Sequence, residues 1–314
     1  MFEFYLRHEY WFAAVQLALA MLGMGATLRI RDFVEVFTRP SALLLGIALQ
    51  LVVVPLVAWQ LIVGLDPVPG VAIGLALCAA IPGGTMSNVF TFLGRGHVAL
   101  SIAITAVTTL GCLVTTPIIL GLLIEHYMPA AFVMPVGRIA TEIALILLLP
   151  LALGMVMLEV FPKQAPFISK WCIRGSIFVI VLIVIGASGA DRIDIRDFDS
   201  RSLLALSLLV GLLATVSWLI PLCLRRPPAE CTAINIEVTI RNGNLGLLIK
   251  ASMFPAAVGV ADPVGDMVLL TVLLYGGFAL PLGLLQVWLH GRINRRRHAS
   301  EQAAGTVTAR SGLS

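Results

Sequence analysis

Charge is scarce in this chain: Asp, Glu, Lys and Arg together make up 12% of its 314 residues. That is too little to solvate the surface of a globular domain of this length, which excludes a soluble fold. Aromatic residues are also few, at 7%. The basic residues sit in short loops rather than in a stripe interleaved with aromatics, so the net charge of +4 does not signal nucleic acid. The five cysteines, Cys78, Cys112, Cys172, Cys223 and Cys231, show neither the spacing of a metal site nor a disulfide framework. They read as small core hydrophobes. The chain has no HExxH and no pair of intramembrane aspartates, which removes the support for an intramembrane enzyme. Before the first apolar run stands one arginine, Arg7, with no small-residue cleavage site after the run, so this run is expected to be a spanning helix and not a signal peptide. What the chain has in abundance is apolar surface, 59% hydrophobic residues with a mean hydropathy of +0.99. These values predict an all-α polytopic membrane protein whose partner is the lipid bilayer.

Since roughly 20 apolar residues span the hydrocarbon core, the apolar runs predict nine transmembrane helices near 10–29, 41–64, 69–94, 98–124, 138–160, 170–190, 203–224, 229–255 and 263–290. Counting Lys and Arg in alternate loops places 13 on one side, from Arg29 to Arg297, and five on the other, Arg7, Arg138, Arg192, Arg196 and Arg201. The richer side is cytoplasmic by the positive-inside rule, so the N-terminus is expected outside and the C-terminus inside. The domain expectation is one transmembrane unit over 1–297, followed by a disordered cytoplasmic tail over 298–314 whose small polar residues offer no apolar face.

Two of the nine runs are interrupted midway. The third carries Pro82, Gly83, Gly84, Thr85, Met86, Ser87 and Asn88; the eighth carries Glu237 through Asn244. Proline removes a backbone donor and glycine permits non-helical dihedrals, so the third helix should stop here and restart at Thr85 or Met86. Non-helical backbone at membrane depth persists only where protein or a water-filled cavity satisfies it. Equivalent breaks in two halves point to the ion and substrate site of a secondary transporter. The two members stand five places apart in the helix order, an odd offset, so the halves at about 10–124 and 170–290 form an inverted repeat joined by the helix at 138–160.

Oxygen-bearing side chains cluster at these breaks. Glu237 and Arg241 are four apart, so a continuous helix would put them on one face as an ion pair. Ionisable residues at this depth usually line a pathway or pair with each other. Ser101 and Thr105, one turn apart in the fourth helix, join Ser87, Asn88 and Glu237 as a set of neutral oxygens with one carboxylate, suited to a small hard cation. Asn242, Gly243 and Asn244 supply positions that tolerate left-handed backbone and a cap for the half-helix that follows. Gln50 is mid-helix and reads either as an interhelical hydrogen bond or as a ligand. Lys250, Glu142 and Asp266 are expected near the outer surface, Lys250 snorkelling and the acids facing water. Trp11, Trp59 and Trp171 fit interfacial belts.

The chain resembles the bile acid:sodium symporter family, which includes bacterial homologues and related organic-anion carriers. The resemblance rests on Gly23-Met24-Gly25-Ala26-Thr27-Leu28, on Ile81 to Asn88 followed by Arg95-Gly96-His97-Val98-Ala99-Leu100-Ser101, and on Ile236-Glu237-Val238 with Arg241-Asn242. It covers about Met21 to Leu289. It implies core and panel domains that move against each other, with two broken helices crossing in the core. It places one sodium at Ser87, Asn88, Ser101, Thr105 and Glu237. A second would fall on Gln50, Glu237 and the backbone oxygens of Val238 and Ile240, with a glutamine where this chain has Arg241. Substrate contacts fall on Thr85 and Asn242. Relative to ten-helix bacterial members the chain lacks a leading helix, leaving nine. The expected function is therefore secondary active transport of a small organic anion, bile-acid-like or a small carboxylate such as pantoate or a keto acid, coupled to at most one sodium in a bacterial inner membrane. No nucleic acid and no obligatory protein partner are implied. The alternatives are an uncoupled or proton-coupled carrier and an arsenite-type efflux carrier, the latter calling for a reactive cysteine closer to Thr85 than Cys78 is.

Overall fold

In the computed structural model, residues 2–29, 40–128, 134–193 and 198–311 are described, excepting the side chains of Thr85 and of 296–311. All regular elements among them are helical. They are α1 (Phe2–Gly25), α2 (Pro40–Leu65), α3 (Pro69–Ala80), α4 (Thr85–Leu93), α5 (Val98–Tyr127), α6 (Val136–Val160), α7 (Ala165–Gly189), α8 (Ser200–Cys223), α9 (Pro228–Thr239), α10 (Gly243–Met253) and α11 (Pro263–Ser311). Six of these, α2, α5, α6, α7, α8 and the Pro263–Arg295 part of α11, are long and apolar enough to cross a membrane. The other apolar runs are α1, with Glu3, Arg7 and Glu9 near its start, and the interrupted pairs α3/α4 and α9/α10.

Both expected interruptions are present, and each has a local cause. After Ala80 the backbone turns extended at Ile81, Pro82 offers no donor, and α4 begins at Thr85, where the sequence places the restart. After Thr239 the chain is extended at Ile240, and the Asn242 side chain caps α10 by accepting from Leu245 N–H at 3.2 Å. The two breaks satisfy each other. Gly84 N–H donates to Ile240 O at 2.8 Å, Asn242 N–H donates to Pro82 O at 2.9 Å, and Gly83 faces Arg241 as a single antiparallel bridge. This exchange supplies the partners that apolar surroundings cannot.

Two spanning helices also carry π-helical turns, Leu49–Val53 in α2 and Ile143–Leu148 in α6, each just ahead of a proline, Pro55 or Pro150. A prolyl nitrogen cannot donate, so the ladder slips by one residue there. Gln50 lies in the first of these turns and is fully buried.

Loops sort to two ends of the bundle. Asn294 donates to the carbonyls of Gly94 and Arg95, Arg226 to Ser41, and Ser169 to Gly23 O, gathering one set. Glu9, Arg192, Lys250 and Asp266 gather at the other. Trp11, Trp59 and Trp171 are exposed on the outside of the bundle. The last helix continues as far as Ser311, through most of the 298–314 stretch expected as a disordered tail. Ala299, Glu301, Gln302, Ala303 and Ala304 are good helix formers, and extending an existing helix needs no new nucleus.

Candidate functional site

Glu237 stands at the crossing, in the last turn of α9, and is fully buried. Gly83 makes its position possible: a Cβ there would lie 1.9 Å from Glu237 Oε1, so only a residue without a side chain lets the α3/α4 break approach the carboxylate. Three hydroxyls reach it. Ser87 Oγ lies 2.5 Å and Ser101 Oγ 2.9 Å from Oε2, and Thr105 Oγ1 lies 2.6 Å from Oε1. Ser101 and Thr105 are one turn apart on α5, while Ser87 and Asn88 come from the first turn of α4. Asn88 Oδ1 stands 2.9 Å from Ser101 Oγ and 3.4 Å from Thr105 Oγ1.

Oxygens outnumber protons in this cluster. Ser87 Oγ is also 2.6 Å from Gly84 O, and Thr105 Oγ1 is 3.0 Å from Ser101 O. A hydroxyl has a single proton to donate, so several of these contacts bring lone pairs face to face. Such a set, with one formal negative charge, is matched to a small hard cation. The five residues expected to share a site, Ser87, Asn88, Ser101, Thr105 and Glu237, are brought together. Thr91, whose hydroxyl lies 3.2 Å from Ser101 Oγ, supports it from behind and carries no signal in the sequence beyond its type.

Arg241 departs from expectation. It makes no ion pair with Glu237 among the described residues, because α9 ends at Thr239 and the helical i,i+4 geometry is lost. Its guanidinium turns instead to the C-terminal end of α3. There Nε lies 3.2 Å from Cys78 O, Nη2 lies 2.9 Å from Ala79 O and also reaches Ile81 O, and Nη1 lies 3.2 Å from Gln50 Oε1. The last carbonyls of a helix have no intrahelical donors and carry its partial negative charge, so a cation is favoured there. Gln50 is fully buried and its Oε1 also accepts from Gly83 N–H at 3.0 Å. Of the other residues implied for a second ion, Ile240 O is engaged by Gly84 N–H, and Val238 is buried within α9.

Beside the crossing lies a cavity of 500 Å3, walled by Ile177, Ile180 and Val184 of α7, Leu273 and Tyr275 of α11, and the Arg241–Asn244 turn. Asn242 lines it, and its Oδ1 is committed to the cap. Thr85 opens α4 at the same place; its side chain lies outside the described residues.

Residues 14–190 match the model of the sodium bile acid symporter family. An uncharacterized sodium-dependent transporter of Bacillus subtilis, YocS, is 31% identical over 246 residues, covering 77% of this chain and 74% of the relative. The chain belongs to the sodium bile acid symporter family. A sodium-dependent organic anion transporter of Rattus norvegicus is 29% identical over 281 residues, 89% of this chain and 71% of the relative. The human ileal sodium/bile acid cotransporter is 29% identical over 174 residues, 55% of this chain and 50% of the relative. The family is one of transporters and not of enzymes, and with its apolar helices the chain is an integral membrane protein.

Outside the crossing, the expectations for Lys250 and Glu142 are corrected, while Asp266 keeps a partly exposed side chain. Lys250 is wholly buried instead of snorkelling; Glu142 is buried and accepts from Ser252 Oγ at 2.9 Å; Asp266 pairs with Arg192. Lys250 and Glu142 each have a partner on another helix, which makes burial cheaper than reaching for water. Glu9, partner to both Lys250 and Arg192, carries no signal in the sequence beyond being an acid at the edge of the first apolar run.

Proposed function

We propose that this protein is a secondary active transporter that moves an organic anion together with one sodium ion. The observation that carries the reading is the proton-poor oxygen cluster around the buried Glu237, formed where two helix breaks cross. Sodium, as cargo, is held by Ser87, Asn88, Ser101, Thr105 and Glu237. Its charge offsets a carboxylate that the membrane interior would otherwise disfavour. Arg241 takes the place of a second sodium: its guanidinium already engages Gln50 Oε1 and the α3 carbonyls, and it has no acceptor to offer a cation. Placed at the wall of the cavity, the same fixed positive charge favours an anionic substrate, with Thr85 and Asn242 contacting it.

The architecture that fits this function has nine spans, with repeats at about 10–124 and 170–290 in opposite orientation and the helix at 138–160 between them. α1, α6 and α7 form a panel that rocks against the crossed core, in a bacterial inner membrane with the N-terminus outside. The relatives' names supply the substrate class, and the mostly apolar cavity wall supports an anion with an apolar body. Uptake of labelled bile acids, pantoate and short keto acids into proteoliposomes, with and without a sodium gradient, tests the reading. Sodium-stimulated uptake of at least one anion is expected; uptake of all of them indifferent to sodium refutes it.

A further inference from the structure

Charges not used at the crossing collect at one end of the bundle. Lys250, near the end of α10, is 0% exposed, and its Nζ lies 2.7 Å from Glu9 Oε1 in α1. The other carboxylate oxygen of Glu9 lies 3.0 Å from Arg192 Nη1, just past the end of α7. Arg192 Nε in turn pairs with Asp266 in the first turn of α11. Two cations and two anions thus form one chain, and two of its three links cross a seam. Glu9 and Arg192 belong to α1 and the end of α7, Lys250 and Asp266 to α10 and α11. A further contact crosses the same seam at the same end, Ser252 Oγ of α10 donating to Glu142 of α6 at 2.9 Å.

As a means of holding helices together, this arrangement is a poor choice. Removing four charges from water offsets most of their mutual attraction, so apolar side chains of similar volume would bind the seam at least as well. The arrangement is better suited to a seam that parts. When water enters, each charge regains its hydration, whereas separated apolar walls lose their burial energy outright. The seam is also connected to the crossing through a single rigid element. Helix α10 begins at the turn that Asn242 caps beside the cavity and carries Lys250 in its last turn.

We propose that Glu9, Lys250, Arg192 and Asp266 form an ionic latch that closes this end of the protein, and that parting of Lys250 from Glu9 and of Asp266 from Arg192 opens the cavity to that side. The latch rests on the transport reading, since it is a gate of the transport cycle. Ala13, one turn inward from Glu9 and 2% exposed, reports on the seam. The full chain carrying Ala13→Cys is reconstituted and labelled with a membrane-impermeant maleimide from the latch side, with the unsubstituted protein as the blank for its own cysteines. With the latch intact labelling is slow. Lys250→Met and Asp266→Asn are expected to raise the rate by about tenfold or more, as a closed seam shifts toward open, while Lys250→Arg stays near the parent rate. Ala76→Cys, buried in α3 away from the seam, is expected to remain unlabelled in every background. Unchanged rates in both neutralised variants overturn the latch, as does equal labelling at Ala76→Cys, which would mean general loosening. Anion uptake by the parent is measured in the same vesicles. If the transport reading fails, the parent shows no sodium-stimulated uptake; if the latch alone fails, uptake is intact and the labelling rates are flat.

Discussion

Replacing Arg241 by glutamine tests the charge arrangement at the crossing most directly. The guanidinium nitrogens lie 2.9 Å from Ala79 O and 3.2 Å from both Cys78 O and Gln50 Oε1. A sodium ion sharing any of these oxygens would sit on the order of 4 Å from the guanidinium. At an effective dielectric of about 20, that repulsion is roughly 4 kcal/mol, or about three decades in affinity. The wild-type protein is therefore expected to bind one sodium. In Arg241→Gln the repulsion is gone, and the buried acceptors that lost their donor cost about 1 kcal/mol or more each until a cation or the new carboxamide satisfies them. The variant should bind a second sodium, with the Hill coefficient for sodium-driven uptake rising from about one toward two, and its thermal stability should rise more steeply with sodium than that of the wild type. Isotope binding to purified protein counts the ions independently. Two sodium ions bound to wild-type protein would refute the reasoning, as would an active variant that still binds one.

Glu237→Ala and Asn88→Ala each remove an oxygen donor from the candidate ion site, and both are expected to abolish the sodium dependence of uptake; transport matching wild type at every sodium concentration would show that the cluster is not the coupling site. Gly83→Ala should eliminate sodium binding while leaving a folded, monodisperse protein with lowered stability, because its Cβ would fall 1.9 Å from Glu237 Oε1 and push the carboxylate out of place. Differential scanning fluorimetry with and without sodium distinguishes this from wild type, in which sodium raises the melting temperature. A cysteine at Arg295 should be reached by an impermeant thiol reagent only after the cells are permeabilised, since the basic loops are expected on the cytoplasmic side; labelling in intact cells would reverse the topology.

The candidate site was largely legible because its signals are local. Pro82, Gly83 and Gly84 interrupt an apolar run, Asn242 to Asn244 carry residue types that cap a restarting helix, and Ser87, Asn88, Ser101, Thr105 and Glu237 are oxygen-bearing residues close to the two breaks or one turn apart on the neighbouring helix. What was not legible depends on partners far away in sequence. The ion pair assigned to Glu237 and Arg241 assumed a helix that in fact ends between them, and the carbonyls that receive the guanidinium lie 160 to 163 residues earlier. Lys250 follows a snorkelling rule that holds when no acid is within reach, but Glu9, 241 residues away, is in reach. The π-helical turn that contains Gln50 leaves only a nearby proline as its mark in the sequence, and the partners of its Oε1, Gly83 and Arg241, lie 33 and 191 residues away.

The mutual satisfaction of the two breaks has a consequence for biogenesis. Gly84 N–H and Pro82 O find their partners only in the Ile240–Asn242 turn, and Ser87 is separated from Glu237 by 150 residues. At about 5–20 residues per second, a ribosome needs roughly 8 to 30 s to produce that second segment. Through this interval the first half, already threaded into the bilayer, holds an open helix break whose amide and carbonyl have no permanent partner. The nascent half must therefore remain near the translocon, a chaperone or trapped water until its counterpart arrives, and a fragment ending before α9 has no route to a stable fold of its own.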